Sequence, residues 1–172
     1  MRSYLILLLF PALLLHSCEV TVKKDDGKEA VKEKSNSKIK NGITISSDKI
    51  KVEQAFLLFE DGTLVPEDNA VKVNQTVVLR LIAKGWEEKD GKVFLAASEK
   101  VTTSEGDTVL DENNLLAQYA DGINAKDAEY ISLDVVIRSV TKLFDYYKVS
   151  FQVKDNLKTG NVVDGYYKLY LK

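Results

Sequence analysis

Side chains that do nucleophilic or metal chemistry are scarce in this chain. Of its 172 residues one is a histidine, His16, and one is a cysteine, Cys18. A Ser-His-Asp or Cys-His nucleophile needs an imidazole within hydrogen-bond reach, so everything beyond position 18 is closed to that chemistry. Zinc sites built from His or Cys, and haem or iron–sulfur ligation through them, are excluded there on the same ground. Oxygen chemistry remains. Segment 102–129 is rich in acids, and Asp121, Asn124, Asp127 and Glu129 offer oxygens of the type calcium takes. Their spacing is not that of the EF-hand loop, whose acidic or amide ligands alternate ahead of a glycine. Helix caps and solvated acids explain the same residues, so no metal or cofactor is expected. Paired carboxylates, as in a glycosidase, are the last route to catalysis. No aromatic-lined cleft follows from the sequence to hold a substrate between two of them, and no enzyme is expected.

Aromatic side chains are the other candidates. Trp86 follows an apolar alternating run and is flanked by Gly85 and Glu87-Glu88. It either stacks a sugar ring or anchors a partner, or it plugs the open end of the fold. Tyr166 and Tyr170 share the outer phase of the final alternating run, with Lys168 and Lys172 beside them. With Tyr146 or Tyr130 they form an exposed aromatic strip, unless a loop covers them or the phase is reversed. Trp86, Tyr166 and Tyr170 are therefore the candidate binding surface, for a protein or a glycan. Nucleic acid is not an expected partner. Residues 42–172 carry 21 acidic against 16 basic residues, and no basic stripe is interleaved with aromatics.

The elements that must position these residues are strands. Val77, Leu79, Leu81 and Ala83 share one phase, and Ile131, Leu133, Val135 and Ile137 alternate with polar residues. Val149, Phe151 and Val153 do the same, as do Tyr167, Leu169 and Leu171. Ile50, Val52, Gln54, Phe56 and Leu58 are read as one phase of another strand. A period of two means one buried and one wet face. Seven or eight strands are expected, over 43–46, 49–60, 70–73, 76–84, 92–101, 130–140, 146–155 and 165–171. Asp61-Gly62 and Asp90-Gly91 are hairpin signals, Pro66 ends a strand, and 158–161 is a turn. One short helix is expected over 112–120, capped by Asp111, and a single turn over 125–128. Many short antiparallel strands in this length make an all-β chain, a single antiparallel β-sandwich over 42–172. The pattern resembles the immunoglobulin-like modules of bacterial surface lipoproteins, a resemblance that transfers no functional residue.

The N-terminus carries an address. Met1-Arg2 gives a positive start, residues 5–15 are an apolar run broken once by Pro11, and Leu15-His16-Ser17-Cys18 precedes an abrupt turn to charge. The run is shorter than the roughly 20 residues a spanning helix needs and suits the core of a secretion signal. Leu15, Ser17 and Cys18 resemble the box of bacterial lipoprotein signals, with His16 where a small residue is usual. That resemblance implies a signal peptide over 1–17, cleaved before Cys18 to leave 155 residues without histidine. It also implies a thioether-linked diacylglyceryl group on the Cys18 sulfur and a third chain, such as palmitate, on the new amine. Each buried CH₂ contributes about 0.8 kcal/mol, so several chains on one residue hold a protein to a membrane durably. An ordinary secretory signal beside an incidental cysteine is the alternative. A lone thiol is uncommon in an oxidising compartment, which favours acylation.

Residues 18–41 read as a flexible, disordered tether. Seven lysines face five acids with few apolar residues between them, too little to offset the entropy of ordering. Such a coil spans roughly 25–30 Å, and its lysines either rest on anionic lipid or are a solvated spacer. Lys24-Asp25-Asp26 also resembles the surface-export signals of some outer-membrane bacteria, and Asp107-Thr108-Val109 their O-glycosylation acceptor. The expectation is a lipid-anchored protein of the bacterial cell envelope, in the outer membrane, serving binding, adhesion or envelope assembly. An inhibitor or immunity-type lipoprotein that blocks one protein partner is the second reading, and a carboxylate-based glycan hydrolase the third.

Overall fold

The structure, a computed structural model, describes residues 38–138 and 142–172. The expected signal peptide, Cys18 and the expected tether up to residue 37 lie outside the described residues, as do positions 139–141. The strands in chain order are β1 (Lys38–Ile39), β2 (Thr44–Ser47), β3 (Lys51–Phe59), β4 (Ala70–Val71), β5 (Thr76–Lys84), β6 (Lys92–Val93), β7 (Leu95–Thr103), β8 (Thr108–Glu112), β9 (Ile123–Asn124), β10 (Tyr130–Val136), β11 (Tyr147–Asp155) and β12 (Val162–Leu171). One sheet runs β1-β3-β5-β10. The other runs β2-β12-β11-β7-β8, with β4 also on β12, and β6 pairs β9 apart from both.

The chain is all-β and its body is an antiparallel sandwich. Connections β5 to β7, β8 to β10 and β10 to β11 each cross from one sheet to the other, as in a β-sandwich. Twelve strands are present among the described residues, seven of them with five residues or more; the expected runs 43–46 and 70–73 appear as the short β2 and β4, and β8 falls where no strand was expected. Of the remaining five, β1, β2 and β4 are short pieces added to the sheets, two of them in parallel, β1 with β3 and β4 with β12, and β6 and β9 form a ribbon of their own. Lys38 and Ile39, expected in the tether, form β1.

Alternation produces the core. Val77, Leu79, Leu81 and Ala83 of β5 face Val149, Phe151 and Val153 of β11 and Tyr167 and Leu169 of β12, all buried. The β3 phase departs from the sequence reading. Val52 pairs Ala83 while Gln54 pairs Ile82, so Glu53 is the extra residue of a bulge. A one-residue insertion flips every later side chain to the other face. Ile50 is buried before the bulge, and Ala55 and Leu57 after it, in place of Phe56 and Leu58. The run 92–101 is also interrupted. Phe94 separates β6 from β7, and the two pair with different partners.

Segment 102–129 differs most. β8 pairs the edge of β7 through Glu112, and a single 3₁₀ turn, Ala117–Tyr119, stands where a longer helix was expected. Nine isolated residues make a marginal helix, whereas pairing with an open sheet edge satisfies backbone groups at once. Asp111, expected as the cap, instead forms an ion pair with Lys100 across β7–β8 at 3.5 Å. The turn expected at 125–128 is a 3₁₀ turn at Asp127–Glu129. Asp90-Gly91 forms a tight reversal with both residues at positive φ, 53° and 75°, closed by Lys89 N–H donating to Lys92 O at 2.8 Å and the reverse bond at 3.0 Å. Asp61-Gly62 turns the chain as well, but the returning segment reaches only one bridge, Leu58 to Leu64.

One feature tightens the packing within a sheet and a second joins the two sheets. Gly165 of β12 lies under the Phe151 ring and beside Thr44 O, which a Cβ there would approach to 2.5 Å; a strand glycine of this kind marks a close approach of neighbours. Asn41 and Asn69, both at positive φ, are 5% exposed and form a clasp. Asn41 Nδ2 donates to Val65 O at 3.1 Å, Pro66 O at 3.2 Å and Asn69 Oδ1 at 2.9 Å. Its Oδ1 accepts from Leu57 N–H at 3.0 Å. Asn69 Nδ2 donates to Asn41 O at 2.8 Å and Lys168 O at 2.9 Å. Strands β3 and β12, one from each sheet, are thereby joined through two amides.

Candidate functional site

The outer face of the β11–β12 hairpin brings the sequence candidates together. β12 buries Tyr167 and Leu169, so the period of two sends Tyr166, Lys168 and Tyr170 outward. Tyr166 is 37% and Tyr170 40% exposed. Register places Lys148 directly opposite Lys168 and Ser150 opposite Tyr166. Lys148 Nζ lies 4.4 Å from the centroid of the Tyr166 ring, and Lys168 Nζ 3.9 Å from that of Tyr146. These are cation–π distances. The face is thus a lattice of three tyrosines around two lysines. Tyr146 belongs to it. Tyr130 does not, because it lies on β10 of the other sheet.

Trp86 is not brought to this face. It is half-buried and packs against the core, with its indole Nε1 buried and unpartnered. The next residue, Glu87, donates its N–H to Asp155 at 2.7 Å. Asp155 ends β11, whereas Tyr146 precedes its start, so Trp86 and the tyrosine lattice lie at opposite ends of a strand about 30 Å long.

Two members of the calcium candidate, Asn124 and Glu129, are engaged separately. Asn124 Oδ1 accepts from Lys126 N–H at 3.0 Å, and Glu129 pairs with Lys84 at 3.8 Å. Among the described residues no three His, Cys, Asp or Glu side chains converge as a metal would require. A groove of about 640 Å³ does run beside β10, lined by Tyr119, Ile123, Asp127, Tyr130 and Asp134 among others. β10 is the edge of its sheet, so one side of its backbone faces that groove.

Sequence reasoning missed Glu99. It is 1% exposed, and neither carboxylate oxygen has a hydrogen-bond partner. Burial first, and the nearby Asp134 carboxylate second, push its pKa up to about 7. The Tyr167 hydroxyl is buried without a partner as well, and its pKa is driven up by burial and then by Glu99 and Asp134. The signal was present in the sequence. Glu99 shares the phase of Leu95, Ala97 and Val101, which face inward. Sealed between the sheets, the carboxyl is out of reach of any polymer substrate.

Comparison of the chain with protein-family models and with curated proteins finds no match.

Proposed function

We propose that this chain is a non-catalytic, lipid-anchored binding module of the bacterial cell envelope, held in the outer membrane through an acylated Cys18 and serving binding, adhesion or envelope assembly. The observation that carries the binding half is the β11–β12 face. Three tyrosines and two lysines are set in register on a rigid hairpin, with Tyr166 and Tyr170 open to solvent. Aromatic rings of this kind supply contact area at low entropic cost. The anchor half rests on Leu15, Ser17 and Cys18.

Replacing Cys18 with alanine tests the anchor. The protein is expected to move from the membrane to the soluble fraction, because the acyl chains supply nearly all of its membrane affinity. A Cys18→Ala chain that stays wholly with membranes contradicts the reading.

A second reading, an inhibitor or immunity-type lipoprotein that blocks one protein, is favoured by the groove beside β10. A free strand edge next to exposed Tyr119 and Tyr130 suits an added strand from a partner. Recovery of one stoichiometric protein from intact cells, lost when the groove and not the tyrosine lattice is altered, would select it.

A further inference from the structure

We infer that the tyrosine–lysine face of β11–β12 takes an anionic polysaccharide; this names the ligand class of the binding module and rests on that reading. The charges make the case. Lys148 and Lys168 stand directly opposite each other across an antiparallel pair, where like charges destabilise a sheet. Among the described residues neither Lys148 nor Lys168 has a carboxylate within ion-pair distance. Lys38, Lys40, Lys49, Lys72, Lys89, Lys92, Lys126 and Lys154 share that property, and what sets these two apart is that they face each other in register, each over a tyrosine ring. Two unopposed ammonium groups in a domain with 21 acids and 16 bases form a local positive spot whose natural complement is an anion from outside. The Tyr166 and Tyr146 rings hold both ammoniums in place, so little side-chain freedom remains to be lost on binding.

The shape selects a polymer. Tyr166, Lys168 and Tyr170 follow one another along β12 at a spacing of two residues, about 7 Å. Ring, cation and ring thus repeat in a straight row. A chain of pyranose rings bearing sulfate or carboxylate groups matches such a row, sugar faces lying on tyrosines and anions on lysines. A bilayer surface matches it less well. Tyr146, Lys148, Ser150, Tyr166, Lys168 and Tyr170 include no aliphatic side chain that would enter the acyl region.

The full chain carrying Cys18→Ala is titrated with dextran sulfate, with neutral dextran of the same length, and with vesicles of phosphatidylglycerol in phosphatidylcholine. Saturable binding of the sulfated polymer alone is expected, weakening as salt screens the charges. The pair Lys148→Gln/Lys168→Gln should lower that affinity on the order of tenfold, two partly screened contacts together. The same double substitution at Lys89 and Lys126, elsewhere on the surface, should not. Equal loss in both pairs, equal binding of neutral dextran, or binding of the vesicles in place of the polymer overturns the proposal. If no polyanion binds but Lys148→Gln/Lys168→Gln abolishes capture of an envelope component, the polysaccharide is wrong and the binding module stands. If that capture is also unchanged, both fall.

Discussion

Replacing Glu99 with glutamine will stabilise the domain above neutrality and leave its stability in mild acid unchanged. The reasoning is linkage. In the unfolded chain the carboxyl titrates near 4.5, and in the fold near 7. Between those values the folded state holds a proton that the unfolded state has released, so stability falls as pH rises through the interval. It is full below the unfolded value and is lost as the folded group ionises. At about 1.4 kcal/mol per pH unit, the difference between the acid and alkaline plateaus is about 3 kcal/mol. Glutamine mimics the protonated acid at every pH, including its missing hydrogen-bond partners. Urea unfolding of both proteins across this range should therefore show curves that coincide near 4.5 and diverge to about 3 kcal/mol by about pH 8. Exposed groups with lowered values, Asp61 and Asp68, act in the opposite sense but equally in both proteins, so the difference isolates Glu99. A gap that does not change with pH would mean that the carboxyl is not buried as described.

Asn41→Ala is expected to cost about 4 kcal/mol. The amide is central to a buried network, and its loss leaves Leu57 N–H without an acceptor while Asn69 Oδ1 loses its donor; each buried polar group left unsatisfied costs about 1–3 kcal/mol. Alanine at φ 55° adds strain that glycine would avoid, about 1 kcal/mol. Asn41→Gly separates the two contributions, and should recover only the strain. The double substitution with Asn69→Ala should cost less than the sum of the singles, because both act through one network. Equilibrium unfolding measures all four. A cost for Asn41→Ala below about 1 kcal/mol would be that of an ordinary surface turn and would contradict the clasp.

How much of this was legible in the sequence depends on which physical rule was in control. Strands β5, β10, β11 and β12 were readable because uninterrupted alternation leaves only one way to bury an apolar face. Tyr166 and Tyr170 followed from the same phase, and the structure places them outward. The phase of β3 was hidden, since a bulge at Glu53 has no apolar signature and inverts everything after it. β8 was hidden for a different reason. Thr108–Glu112 is polar enough to pass for a loop, and its pairing with β7 is decided by an open sheet edge far from it in sequence. Lys148 was visible only as the outward neighbour of Val149. That it meets Lys168 is a matter of register, which the hairpin turn at 158–161 sets and the sequence leaves open. Asn41 and Asn69 read as turn residues, which their positive φ makes them; their mutual bonds are tertiary. Trp86 shows the converse, a residue singled out by type whose place beside the far end of β11 sets it apart from Tyr166 and Tyr170.

Mass spectrometry of the native protein purified from its own membranes tests the central claim most directly. The account predicts a chain that starts at Cys18, without residues 1–17, and carries the mass of a diacylglyceryl group on that residue together with an amide-linked acyl chain. A chain that still starts at Met1, or one with an unmodified sulfur at Cys18, would contradict it.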